Sequence, residues 1–241
     1  MRVFLIVIVF LSSISIYGQS QRAWQVFEIG MKASQASDHK NALGAFQKTL
    51  RVIDREGSTD VFASKVHYNL GVSYYHLRQH AEAVVEYEKA ILLAGRNYER
   101  AYYALGLTHA EMRNWTAAER AFRDAIRTNS RNGEAWFDLA FVYLAQNDRD
   151  KARAAFGNAI KFDSVETAIS HNNIGVLYAL SGDFTGAEAQ FAAAVERSAG
   201  GLDAAKQNLE NCKRIAAEPK SFVANSAFAF AKRSARENRS E

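Results

Sequence analysis

The sequence predicts an all-α protein, an α-solenoid of about five helix-turn-helix repeats closed by a C-terminal capping helix. Three observations carry that expectation. Only one proline, Pro219, occurs among the 241 residues, so nothing before it breaks a helix by removing a backbone N–H. Hydrophobic residues make up 48% of the chain and charged residues 23%, a balance suited to a folded core with a solvated surface. The third observation is a block of residues that returns at a nearly constant interval.

The block reads Leu70, Gly71, Tyr74, then Ala83, Tyr87 and Ala90. It returns as Leu105, Gly106, His109, Ala118, Phe122, Ala125, and again as Leu139, Ala140, Tyr143, Ala152, Phe156, Ala159. A fourth copy is Ile174, Gly175, Tyr178, Ala187, Phe191, Ala194. Numbering the glycine position 71, 106, 140 and 175 gives intervals of 35, 34 and 35 residues. A worn copy precedes them, with Ile29, Gly30, Ala42 and Phe46, but Thr49 where alanine is expected. A glycine inside a helix costs roughly 1 kcal/mol relative to alanine, so its return in phase needs a packing reason.

The block resembles the tetratricopeptide repeat (TPR) family over about residues 22–201, divided near 23–56, 64–97, 99–132, 133–166 and 168–201. The resemblance implies two antiparallel helices per repeat. It places Gly71 opposite Ala83, the Tyr87 ring in the space between helices, and Ala90 where the next repeat docks. A single repeat cannot bury its apolar face, so stability comes from stacking on neighbours. Two features depart from the family. Asp54, Gly95, Ser130, Ser164 and Ala199 stand where a proline often ends the second helix, which leaves those junctions less rigid. The interval from Gly30 to Gly71 is 41 residues, which implies either a longer link around residues 55–60 or a longer second helix.

After the last repeat, residues 202–217 predict a capping helix whose Lys206, Gln207, Glu210, Lys213 and Arg214 suit a solvated outer face. Residues 218–241 form a basic tail whose composition predicts disorder. Within it Phe228 and Phe230 alternate with alanines, a period of two that belongs to extended chain. At the other end, residues 1–18 join Arg2 to an apolar run through Leu11 and a small residue at Gly18, the pattern of a secretory signal peptide. Export to a bacterial periplasm or beyond the cell is the expectation. The alternative is a surface-held adaptor, with the same segment retained as a membrane anchor or with the basic tail adhering to anionic lipid or cell-wall polymer.

The formal net charge is +4, but the basic residues are interspersed with acids, which argues against nucleic acid as a partner. The lone Cys212 is either buried on a helix face or open to intermolecular pairing. His76 and His80 have the four-residue spacing of helical metal ligands, but the repeat register puts His80 in a turn and supplies no third ligand. His67, His109 and His171 fall on packing positions. The sequons at Asn114 and Asn238 matter only in a host that glycosylates asparagine. No phosphate loop, paired CxxC or nucleophile elbow is present, so no enzyme, metal or cofactor is expected.

The TPR resemblance implies a concave groove lined by the first helix of each repeat. Its positions fall here on Phe27, Met31, Tyr68, Val72, Tyr75, Tyr103, Leu107, Phe137, Phe141, Leu144, Asn172 and Val176. Aromatic anchors dominate binding at interfaces, whereas some inner-face residues serve only neighbouring helices. Family members that clamp a terminal carboxylate use lysine, arginine and asparagine here. Tyr68, Val72 and Tyr103 replace them, and Asn172 with Asn173 are the only suggestive amides. The expected partner is therefore an apolar peptide or helix of another protein. A second expectation is self-occupation, with Phe222, Phe228 and Phe230 lying in the groove of their own chain or of a second copy in a homo-oligomer.

Overall fold

A computed structural model describes residues 21–217 and 228–232. The leader-like residues 1–18, Phe222 and the Asn238 sequon lie outside the described residues. The described residues contain eleven helices and no strand, as the repeat pattern predicts. They are α1 (21–35), α2 (His39–Glu56), α3 (Asp60–His76), α4 (His80–Leu93), α5 (Glu99–Glu111), α6 (Trp115–Thr128), α7 (Gly133–Ala145), α8 (Arg149–Lys161), α9 (Thr167–Leu180), α10 (Phe184–Arg197) and α11 (Asp203–Ala217). None of these is long and apolar enough to cross a membrane. The chain divides into two compact units, Met1–Asn114 and Trp115–Glu241.

The turn between the helices of each pair is built alike five times. Ser37, Arg78, Arg113, Asn147 and Gly182 all have positive φ, between 57° and 85°. The following N–H returns to a carbonyl five residues back: Asp38 to Ala33, Gln79 to Tyr74, Asn114 to His109, Asp148 to Tyr143 and Asp183 to Tyr178. This bond satisfies a carbonyl that the helix end leaves orphaned. Only Gly182 adopts the left-handed region without a Cβ penalty. Three of the next helices start on an aspartate whose carboxylate accepts a backbone N–H: Asp38 from Asn41, Asp148 from Lys151 and Asp183 from Gly186.

In the first unit, Ala23, Phe27, Ala42, Phe46, Ile53, Val66 and Leu70 form one buried cluster. The long interval after Gly30 resolves as a longer helix, since α2 continues through Glu56 and only residues 57–59 link it to α3. Gly57 makes the corner with φ 80°, and the Thr59 hydroxyl caps α3 by accepting from Phe62 N–H.

The recurring glycine has a direct steric cause. A Cβ at Gly71 would lie 2.6 Å from the Tyr87 ring, at Gly175 2.7 Å from Phe191, and at Gly30 2.5 Å from Phe46. The glycine therefore seats the aromatic of the partner helix. Ala83, Ala118, Ala152 and Ala187 are all fully buried, as are Phe122, Phe156 and Phe191.

In the second unit, Ser164 stands where proline is expected and is tied down by hydrogen bonds instead. Its hydroxyl and the Val165 N–H both donate to Glu134 Oε1, each at 3.2 Å, while Thr167 Oγ1 donates to the Ser164 carbonyl. That junction is held by side chains of two repeats, not by a proline ring.

Candidate functional site

The predicted groove positions separate into two kinds. Phe27, Phe137, Asn172 and Val176 are buried, whereas Met31, Tyr68, Val72, Tyr75, Tyr103, Leu107, Phe141 and Leu144 are half-buried. Phe27 packs 5.4 Å from Phe46, ring centroid to ring centroid, inside the first unit's core. Phe137 is fully buried, 5.8 Å from Phe156, and Phe141 meets the same ring edge-on at 5.3 Å. Phe27 and Phe137 are therefore core aromatics and cannot be exposed anchors. The reason is the aromatic of the second helix, which reaches across the pair to the first.

The half-buried aromatics of the first unit pack against one another and against histidines. Tyr68 lies 5.9 Å from Tyr87 and 5.3 Å from Tyr98. Burial pushes the hydroxyl of Tyr68 above its ordinary pKa, and that of Tyr98 up to about 12, so both stay neutral donors. Tyr75 meets His76 and His80 edge-on, both at 5.5 Å. His76 does not turn toward His80 as a ligand pair. It stacks on His39 at 4.1 Å and 14°, and no group of three or more metal-ligating side chains forms among the described residues. His67 and His171 sit in packing positions with partners, Glu86 at 2.6 Å and Gln190 at 2.8 Å.

The most developed site lies in the second unit, where α9 and α11 hold residues 228–232. Asn173 Nδ2 donates to the Ala231 carbonyl at 2.9 Å, and its Oδ1 accepts the Ala231 N–H at 2.8 Å. Asn208 treats Ala229 the same way, accepting its N–H at 2.9 Å and donating to its carbonyl at 2.8 Å. Asn172 adds a bond from Nδ2 to the Ala229 carbonyl at 3.2 Å. The amides also bond to one another: Asn208 donates to Asn172 Oδ1 at 2.9 Å and Asn172 to Asn173 Oδ1 at 3.1 Å.

This geometry follows from extended chain. The N–H and C=O of one residue point to the same side, and those of its neighbour point to the other. Residues 229 and 231 therefore face the helices, and each finds an amide that supplies one donor and one acceptor. All three asparagines are almost wholly buried, a costly placement unless every partner is present. Phe228 completes the contact, stacked on Phe191 at 5.8 Å and 11° and lying 6.5 Å from Phe184. Cys212 belongs to the same apolar cluster. It is fully buried, donates to the Phe184 carbonyl at 3.3 Å, and burial pushes its thiol up.

Over residues 228–232 the tail lies against the helices. The alternation of Phe228 and Phe230 correctly signalled extended chain, although Phe228 is packed while Phe230 is 36% exposed. Asn208 was missed. It falls 35 residues after Asn173, so the repeat interval carried past the last full repeat would have found it.

Sequence models described as tetratricopeptide repeat match residues 64–97, 109–166 and 139–201. Among curated proteins, the chain is 30% identical over 107 residues to anaphase-promoting complex subunit 3 of Schizosaccharomyces pombe, covering 44% of this chain and 16% of that protein. It is 25% identical over 123 residues to BBSome complex member BBS4 of Xenopus tropicalis, covering 51% of this chain and 23% of that protein. The chain thus spans less than a quarter of the length of these curated relatives. Among solved structures, a MamA protein superposes with a TM-score of 0.64 at 23% identity, over 74% of this chain and 93% of that one. YrrB, described as a TPR protein with an unusual peptide-binding site, gives 0.59 at 20% identity, over 73% and 86%. Likeness at that level is a likeness of fold.

Proposed function

This chain belongs to the tetratricopeptide repeat family, and we propose that it is an exported, non-enzymatic scaffold that holds an extended segment of another protein against the first helices of its repeats. One observation carries the reading. Asn172, Asn173 and Asn208 already grip an extended segment by both hydrogen-bonding groups of alternate residues. Main-chain bonds of this kind supply affinity, and side-chain pockets beside them supply selection.

The half-buried Tyr68, Val72, Tyr75, Tyr103 and Leu107 of the first unit extend the same logic to apolar side chains of a partner. An extended peptide suits the asparagines better than a helix does, because a helix has already spent its N–H and C=O groups on itself. The names of the curated relatives, subunits of multi-protein complexes, agree with a scaffold. The leader-like residues 1–18 support work in the bacterial envelope or outside the cell.

The test is crosslinking and capture from the native exported fraction, comparing the mature protein with a Tyr103→Ala, Leu107→Ala variant and with Asn173→Ala. Circular dichroism first establishes that each folds. Partners lost from either variant support the reading. An identical set from all three moves the interaction to the other faces of the helices.

A further inference from the structure

The segment 228–232 has two properties that a permanent structural element would not need together: the N–H and C=O of its alternate residues Ala229 and Ala231 are bonded to buried amides, while the side chains of Ala229, Phe230 and Lys232 are exposed. We infer that it is a displaceable internal occupant of the Asn172–Asn173–Asn208 site, and that the site takes from outside an extended segment carrying an aromatic residue followed three positions later by a small one. This rests on the proposed function and adds what the site selects and what stands in its way.

The selection follows from which side chains are covered. Phe228 is half-buried, stacked on Phe191 with Phe184 tilted 6.5 Å away, and Ala231 is 6% exposed. Ala229 and Lys232 are exposed, and Phe230 is 36% exposed, so those side chains are not read. The backbone adds a second rule. Ala229 and Ala231 both donate N–H groups, to Asn208 and Asn173, so proline is excluded at the second and fourth positions. The pattern is aromatic, any residue but proline, any residue, small.

Displacement follows from the size and tethering of the contact. The described contact spans five residues, and a free peptide of that length would bind weakly after its ordering entropy is subtracted. The ten residues 218–227 tether it to α11. A short tether holds its segment at an effective concentration of about millimolar, which fills the site without a strong contact. An outside segment of equal quality loses to it. One with further contacts on the repeat helices, or one presented many times on a surface, replaces it.

The probe is a fluorescein-labelled peptide with the sequence of residues 226–233, followed by anisotropy. The protein is the full mature chain, as wild type and as a Phe228→Asp, Ala231→Pro variant that releases the tail. The released chain is expected to bind the peptide at least tenfold more tightly than wild type. Adding Asn173→Ala to it, or replacing the peptide's first phenylalanine by alanine, is expected to abolish that gain. Equal binding by the two chains overturns the inference, as does a released chain of native helicity that binds no peptide.

A measurement on wild type alone guards against a variant that unfolds. Millimolar unlabelled peptide is expected to speed hydrogen exchange at Ala229 and Ala231 while leaving α9 unchanged. Tail amides that open only together with α9, indifferent to peptide, overturn it. Partners captured in the groove by a chain whose released form ignores the tail peptide would leave the proposed function standing and sink only this inference. Peptide exchange with no loss of partners from groove variants would do the reverse.

Discussion

Asn173 and Ala231 form a closed two-bond ring: one side-chain amide donates to the residue's carbonyl and accepts from its N–H, at 2.9 and 2.8 Å. Fifty-eight residues separate them in the chain. A buried asparagine with only half of this exchange would cost about 1–3 kcal/mol, so the pair is stable only while an extended backbone lies against α9. The occupied site is thereby coupled to the packing of the last repeat.

Asn173→Ala removes both bonds and leaves the Ala231 N–H and C=O unpaired. Loss of docking by about 1–3 kcal/mol is expected, which raises the open population of the tail roughly tenfold or more. Limited chymotrypsin digestion checks it, with cleavage at Phe228 and Phe230 accelerating while the helices stay intact, because proteolysis tracks the open fraction.

Two glycine substitutions of identical chemistry should have opposite signs. Gly175→Ala drives a Cβ to 2.7 Å from the Phe191 ring, and overpacking should destabilise by about 1–3 kcal/mol despite better helix propensity. Gly157→Ala, inside α8 with nothing within 4 Å, should stabilise by about 0.5–1 kcal/mol. Urea midpoints of both variants against wild type decide whether the repeat glycine is a steric requirement.

The stacked His39 and His76 should make the first unit sensitive to mild acid. Burial holds both imidazoles below their ordinary pKa, and each ring is further biased by its neighbours, Asp38 raising His39 while His39 and Arg78 lower His76. The unfolded chain, titrating near the ordinary 6.5, then binds more protons than the folded one just below that value. Stability is fully present above pH 6.5 and is lost as pH falls through the depressed folded values. Urea midpoints should drop between pH 7.5 and 5.5, and a His39→Gln, His76→Gln chain should show a shallower drop. An unchanged slope would remove the stack as its cause.

Cys212 should behave as a buried apolar residue. Its raised thiol pKa and full burial predict alkylation by iodoacetamide at least about a hundredfold slower than in the urea-unfolded chain. Native protein kept without reductant should form no disulfide-linked dimer on a non-reducing gel. A rapid dimer would show that the cluster around Phe228 opens far more readily than its packing implies.

How far the sequence reached is visible in particular residues. The helix pairs were legible because Gly71, Tyr87 and their counterparts recur in phase, and tight packing allows few alternatives at those positions. That the Tyr87 ring lies directly over Gly71 was not legible, because a spacing rule places residues on a face without saying which side chain crosses to it. The same limit explains Phe27 and Phe137, whose register is that of a groove but whose rings turn into the core. The left-handed turns at Arg78 and Arg113 carry no composition signal, since any residue can stand there at a cost of about 1–2 kcal/mol. Asn172 was legible by register. Asn208 was within reach of the same interval, 35 residues after Asn173, but its partner Ala229 was not, because a contact between a tail and two helices leaves no period in the chain.

The α9–α11 asparagines hold an extended segment through its alternate residues Ala229 and Ala231. Residue-resolved hydrogen exchange on the wild-type mature chain tests it most directly. The predicted result is alternation: Ala229 and Ala231 amides protected, the Phe230 amide between them exchanging freely, and the protection at Ala231 lost in Asn173→Ala. Uniformly fast exchange across residues 228–232, or protection at Ala231 that survives removal of the Asn173 amide, would contradict the account.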